Sequence, residues 1–268
     1  MVFSIAVSDI INKNAPVPLT GDIEEQIKYA ASLGFSGVEI HTPSPERIDA
    51  NRIRTLCKEL GITITTIGTG SIFGKFNLSI ADPDPVRREV LYGLLTEYVD
   101  LASELGSKIT IGSLKGNLSS DRNASLDIVR GELKRLSTYA SRQGVKILLE
   151  ATNRYENNYF NTGDETANFI KTVGLRNVGI LMDAFHMNIE EKDPFSCFEG
   201  YVDLIWHIHV ADNNRHFPGG GSFDFHSFAE EIKRIGYDGI ISIECLPYPD
   251  GKTAATRSIE FMNVFFRV

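Results

Sequence analysis

Eight short runs rich in β-branched residues recur along the chain, separated by longer stretches of helical periodicity. The runs are FSIAV (3–7), SGVEI (36–40), ITITTI (62–67), KITIG (108–112), KILLE (146–150), VGILMD (178–183), IWHIHV (205–210) and GIISIE (239–244). Compact apolar runs of this length read as buried strands. Between them, EEQIKYAASLG, VRREVLYGLLTEYVDLASELG and LDIVRGELKRLSTYASRQG each end on a glycine suited to close a helix, and FAEEIKRIGYDG repeats that logic. Eight strand–helix units in 268 residues match the size and rhythm of an α/β (β/α)8 barrel. A doubly wound sheet would carry a glycine-rich phosphate loop after its first strand, and SDIINKNAPVPLTGD contains no GxGxxG. No linker, low-complexity tract or charge block intervenes, so one domain over residues 1–268 is expected.

Composition narrows the partners. The formal net charge is −8, which opposes the basic face that a nucleic-acid binder needs. No apolar run approaches the roughly 20 residues that cross a membrane. MVFSIAVSD has no basic region before its apolar residues, so it reads as a first strand and not as a signal peptide. Cys57, Cys197 and Cys245 are odd in number and widely spaced, which fits a reducing cytoplasm better than a disulfide scaffold. The expectation is a cytoplasmic protein acting on a small molecule, with no nucleic-acid or membrane partner. Long helices such as 86–106 leave room for a homo-oligomer, dimer or tetramer.

In a barrel, chemistry sits where the strands end at their C-terminal side. The last four runs end on or near Glu150, Asp183, His209 and Glu244, spaced by 33, 26 and 35 residues, about one unit each. Consecutive strands would gather these side chains around one mouth. Three crowded carboxylates repel one another, and a divalent cation removes that penalty. Three oxygen ligands and one imidazole suit Mn²⁺, Mg²⁺ or Co²⁺, and Zn²⁺ also fits. Taken singly, a carboxylate after a strand is often a helix cap. Glu39 in SGVEIH is the counter-example, a glutamate at another strand end with no assigned chemistry. His207 shares a face with His209 but sits deeper, and is expected to pack as a satisfied histidine. His186, three residues past Asp183, and Arg215, on the glycine- and asparagine-rich loop after the seventh strand, add polar groups nearby. Arg154 and Glu156 follow the fifth strand and can pair with each other at the surface.

LLEATNRYEN, LMDAFHMNIEE, HIHVADNNR with its following FPGGG, and ISIE resemble the xylose-isomerase-like TIM barrels, and within them the ketose 3-epimerases of the D-tagatose, D-psicose and L-ribulose types. The rhythm of units resembles that family over essentially the whole chain, while the specific motifs lie in its second half. The resemblance implies a manganese- or cobalt-type ion, Mn²⁺ foremost, held by Glu150, Asp183, His209 and Glu244. It makes Glu150 and Glu244 the acid–base pair, and Glu156, His186 and Arg215 the substrate-binding neighbours. The first half departs from the family: IGTGSIFGK and IGSLKGN offer Ser71, Phe73, Ser113 and Lys115 where the family commonly places aromatic residues. Lys75 and Lys115 read as solvated lysines, with a phosphate contact as the alternative. DNA-repair endonucleases of the same superfamily draw histidines from the earlier strand ends, where TIGTG and TIGSL have none.

The expected reaction is epimerisation of a ketose, or a closely related keto-sugar, at C3 through a cis-enediolate, with the two glutamates on opposite faces. An aldose–ketose, hydroxypyruvate- or inosose-type isomerase, an inosose dehydratase and a sugar-phosphate epimerase need nearly the same parts. A sugar-binding barrel that keeps its metal without catalysis is the non-enzymatic alternative.

Overall fold

The computed structural model describes residues 1–266. The eight expected runs form eight strands: β1 (Val2–Ser8), β2 (Gly37–His41), β3 (Thr63–Gly68), β4 (Lys108–Ile111), β5 (Ile147–Glu150), β6 (Val178–Asp183), β7 (Ile205–Val210) and β8 (Ile240–Ile243). Each pairs in parallel with the next, and β8 pairs back onto β1, with Val2 opposite Ile240. The sheet therefore closes into a (β/α)8 barrel, with a two-residue strand, Leu19–Thr20, added beside β1. Burial on both faces explains why the strands read as continuous apolar runs, and all six residues of β6 are buried.

The helices between strands are delimited by side chains that the sequence supplies. Asp22, Asp49, Asp84, Asp121, Asp224 and Asp250 each accept a backbone N–H of the helix they precede. Gly34, Gly61, Gly106 and Gly174 close helices at positive φ, where a Cβ would be strained. Two short helices were not evident in the sequence. Gly70–Phe76 carries two glycines and buries only Ile72 among its seven residues. Ala184–Glu190 starts directly at the end of β6, because Asp183 caps it. Among the described residues no helix is long and apolar enough to cross a membrane. All three cysteines are free.

Candidate functional site

The closed barrel brings the ends of β5 to β8 to one rim. Glu150 ends β5, Asp183 ends β6, His209 is the fifth residue of β7, and Glu244 follows β8. Asp183 and His209 are register partners on neighbouring strands. One ligand atom from each of the four residues lies within 4.8 Å of the others. His209 Nδ1 stands 3.5 Å from Glu244 Oε2, and 3.9 Å from both Glu150 Oε1 and Asp183 Oδ2. Asp183 divides its two oxygens: Oδ1 accepts from Phe185 N at 2.9 Å to cap the helix, and Oδ2 faces the cluster. The capping role and the cluster role, alternatives in the sequence, coexist.

The donors fit a divalent cation. His209 Nδ1 is buried with no hydrogen-bond partner, although three carboxylate oxygens surround it. Burial opposes the charge, yet Glu39 and Glu244 raise the His209 imidazole well above its ordinary range, so a cation entering among the three carboxylates takes the place of its Nδ1 proton. Electrostatics carries the same signature. Burial, then the charge of Glu244, pushes the Glu150 carboxyl up to about 8. Glu244 is buried too, yet His209 and Arg215 hold it down to about 2. The Arg215 guanidinium supplies part of the counter-charge, bonding Asp183 Oδ2 through Nη1 and Glu244 Oε2 through Nη2. Arg215 reaches there from a residue at φ 63°, and its carbonyl accepts Leu246 N at 2.8 Å. Asp212 staples the same loop by accepting from the backbone of Asn213, Gly219 and Phe223.

His186 points into the cluster by an arrangement that fixes its tautomer. Asn153 Oδ1 accepts from Tyr155 N at 2.9 Å, so its amide nitrogen donates to His186 Nδ1 at 2.7 Å. The ring hydrogen therefore sits on Nε2, which lies 3.7 Å from Glu150 Oε1 and 3.9 Å from Glu156 Oε1. Burial, with Arg215 adding to it against the pull of Asp183, lowers His186 to about 4, so the ring is a neutral donor at pH 7. Glu156 is exposed on the loop after β5 and reaches back toward His186. Arg154 does not pair with it: Arg154 Nε and Nη2 bond Glu190 at 2.8 Å each, because that carboxylate also accepts Arg154 N.

The early strands close the site. At Gly112, after β4, a Cβ would stand 2.0 Å from Glu150 Oε2. Gly68, Gly70 and Ser113 line a cavity of about 970 Å³ that also takes in Glu150, His186 and Arg215. Ser71 and Lys75 line it as well; Phe73 and Lys115 are absent from its wall. Lys115, expected in solvent, is buried because the loop after β5 folds over it. Its ammonium donates to the Glu150 carbonyl, to Thr152 Oγ1 at 2.9 Å and to the Phe160 carbonyl at 3.4 Å. Burial pulls Lys115 down to about 7, but three acceptors for three N–H bonds suit the ammonium form.

Glu39 departs furthest from its expectation. It is fully buried, with Oε1 accepting from His41 Nε2 at 2.8 Å and Oε2 from His207 and His209 Nε2 at 3.0 and 3.1 Å. His207 is buried and hydrogen-bonded as expected, although its Nδ1 has no partner. The signal in the sequence was two ionisable pairs, Glu39 with His41 and His207 with His209, each two residues apart and so on one face of its strand.

Residues 27–264 match the family model described as xylose isomerase-like TIM barrel. Among curated relatives, the ketose 3-epimerase of Arthrobacter globiformis is 28% identical over 226 residues, 83% of this chain and 77% of that protein. The 3-dehydro-D-guloside 4-epimerase of Escherichia coli is 30% identical over 235 residues, 83% of this chain and 87% of that protein. The solved D-psicose 3-epimerase of Clostridium cellulolyticum, with D-tagatose, superposes with a TM-score of 0.82 at 22% identity over all of both chains, a likeness of fold.

Proposed function

The chain belongs to the xylose isomerase-like TIM barrel family, and from that premise we propose that it epimerises a ketose, or a closely related keto-sugar, at C3. It is a divalent-metal-dependent enzyme, and Mn²⁺ is the ion we assign, with Co²⁺ the next choice. The observation that carries the reading is the four-residue cluster of Glu150, Asp183, His209 and Glu244 around a buried, unpartnered imidazole nitrogen. The ketose 3-epimerases among the relatives support the choice of carbon.

A proton beside a carbonyl is far less acidic than any carboxyl, so its removal needs the developing oxyanion to be stabilised. A cation held by the four residues supplies that positive charge when bound. One glutamate of the pair Glu150 and Glu244 takes the C3 proton, and the electron pair of the C–H bond moves onto the C2 carbonyl oxygen as an enediolate. The other glutamate returns a proton to the opposite face of C3, which inverts the centre. Either epimer can enter, so each glutamate serves as base in one direction and acid in the other. His186 Nε2–H and the Arg215 guanidinium donate toward the O1–O2 end of the sugar. Glu156 binds substrate hydroxyls from the rim. These roles are supported by the direction of the His186 ring hydrogen and by the shared neighbourhood of Glu150, Glu156 and His186.

A second reading has one observation in its favour. The cavity, about 970 Å³, lies at the upper end of the roughly 300–1,000 Å³ usual for drug-sized ligands, more than a free ketose fills. A keto-glycoside epimerised next to its ring ketone would use that room, and a relative bears the name 3-dehydro-D-guloside 4-epimerase. One experiment separates the possibilities. The Mn²⁺-loaded protein is incubated in deuterated water with free ketoses and 3-keto-glycosides, and NMR reads the label. Deuterium at C3 of a ketose, with both epimers present, supports the main reading. Label at C4 of a glycoside supports the second. Label at C1 or C2 with aldose formed makes the enzyme an isomerase. Glu150→Gln and Glu244→Gln should each abolish the exchange, and near-normal exchange in either would refute the paired-glutamate step.

A further inference from the structure

A single carboxylate stands behind the metal cluster and touches three imidazoles. Glu39 lies in the middle of β2, wholly buried, and its neighbours Val38 and Ile40 are buried apolar residues. Nothing in the proposed proton transfer uses it. A buried carboxylate without partners is costly, and this one is satisfied by His41, His207 and His209, all through Nε2. An ionised carboxylate can only accept hydrogen bonds. Each neutral ring must therefore carry its hydrogen on Nε2 and leave a bare lone pair on Nδ1. For His207 and His209 the Nδ1 atoms are indeed buried without a hydrogen-bond partner. His209 Nδ1 is the atom aimed at Glu150, Asp183 and Glu244, where its lone pair would meet a cation.

We propose that Glu39 is the positioning residue of the metal centre. It selects the His209 tautomer that offers Nδ1 to the cation, fixes the ring's angle from behind, and strengthens the nitrogen as a donor by accepting its other hydrogen. Histidine ligands are commonly set by such a carboxylate. Here the same carboxylate does more, because its other oxygen holds His41, which lines the substrate cavity. The metal ligand on β7 and the cavity wall on β2 thus share one anchor, 168 and 170 residues away in sequence from the two histidines of β7. This inference rests on the metal cluster alone and stands whichever sugar is turned over.

The competing role for Glu39 is ligation of a second cation with His207 and His209, which also come together around it. Three N–H donors already fill three of its roughly four acceptor positions, which favours the hydrogen-bonded role.

The test uses Co²⁺ alone, without substrate. Titration of the metal-free full chain should show one Co²⁺ per chain. Glu39→Gln removes the charge and turns one acceptor oxygen into a donor, and should weaken Co²⁺ binding about 10- to 100-fold. The melting temperature of the metal-free variant measures any purely structural role. Affinity within threefold of the unaltered protein, with or without a lower melting temperature, would overturn the proposal. A second equivalent of Co²⁺ that disappears in Glu39→Gln would overturn it too, by making Glu39 a ligand. A measurement on the unaltered protein decides the matter if the variant does not fold. Long-range ¹H–¹⁵N NMR of the Zn²⁺-loaded chain should show His209 protonated at Nε2 and coordinated through Nδ1. The opposite assignment would refute the tautomer selection. Failure of sugar turnover would leave each of these readouts unchanged.

Discussion

Replacing Gly112 with alanine places one methyl group where the Glu150 carboxylate now lies. The added Cβ would stand 2.0 Å from Glu150 Oε2 and 3.2 Å from Cδ, and real Cβ contacts essentially never fall below 3.0 Å. Oε2 must therefore retreat by at least 1.0 Å, and the rigid carboxylate carries Oε1, the oxygen that faces His209 Nδ1, with it. Metal–ligand distances tolerate about 0.2 Å, and a misplacement of about 1 Å at a reacting group can cost about 100-fold. The backbone cannot yield easily, since Gly112 directly follows β4 at the barrel rim and its carbonyl accepts Lys115 N at 2.9 Å. Gly112→Ala should thus weaken Co²⁺ binding by about 100-fold, equivalent to about 2.7 kcal/mol, and depress C3 proton exchange at least as much. Overpacking should cost the fold only about 1–3 kcal/mol, so the variant remains folded. The assays are Co²⁺ titration by calorimetry, urea unfolding, and deuterium incorporation with saturating Mn²⁺. A variant with unchanged metal affinity and exchange would show that the Glu150 oxygen beside Gly112 takes no part in the site.

Two further outcomes follow from the buried charges. Lys115→Met would strand the Glu150 and Phe160 carbonyls and take one donor from Thr152 Oγ1, which keeps its bond to Asn157 Oδ1, and at about 1–3 kcal/mol for a group left unpaired should lower the unfolding free energy by at least about 2 kcal/mol in urea. A fully stable variant that instead lost turnover of phosphorylated sugars alone would restore the phosphate contact as the role of Lys115. Metal affinity should also depend on pH with a definite sign. Because burial and Glu244 raise Glu150 to about 8 in the metal-free protein, the carboxyl carries a proton below that pH and the cation must displace it. Affinity should rise by up to tenfold per pH unit toward pH 8, and binding at pH 7 should release protons, seen as a calorimetric enthalpy that depends on the buffer. Affinity that is flat from pH 6 to 8 would contradict the raised carboxyl.

What the sequence made legible, and what it hid, divide along one physical line. Glu150, Asp183, His209 and Glu244 could be found because parallel topology turns a one-unit spacing into adjacency: whatever ends consecutive strands must meet at one rim. The assignment needed the strands and their order, and no knowledge of side-chain contacts. Lys115 and Glu39 could not be found that way. Lys115 sits between small, loop-like residues in GSLKGN, and its burial depends on the segment 152–160 closing over it. Glu39 looks like a stray glutamate in SGVEIH until β7 is brought across the barrel with two histidines in phase. A residue that meets others at the rim is marked by where its strand ends. A residue that holds another in place is marked only by its partner, which topology alone does not name. The same division separates the halves of the chain: β5 to β8 contribute the cluster and the recognisable motifs, while β2 to β4 contribute Glu39, Gly112 and Lys115, which set its tautomer, its clearance and its footing. On that reasoning, substitutions in the first half should change metal affinity and fold stability while leaving the identity of the exchanged proton untouched. Changes to Glu150 or Glu244, which the cluster also makes metal ligands, should weaken metal binding and stop exchange in a chain that still folds.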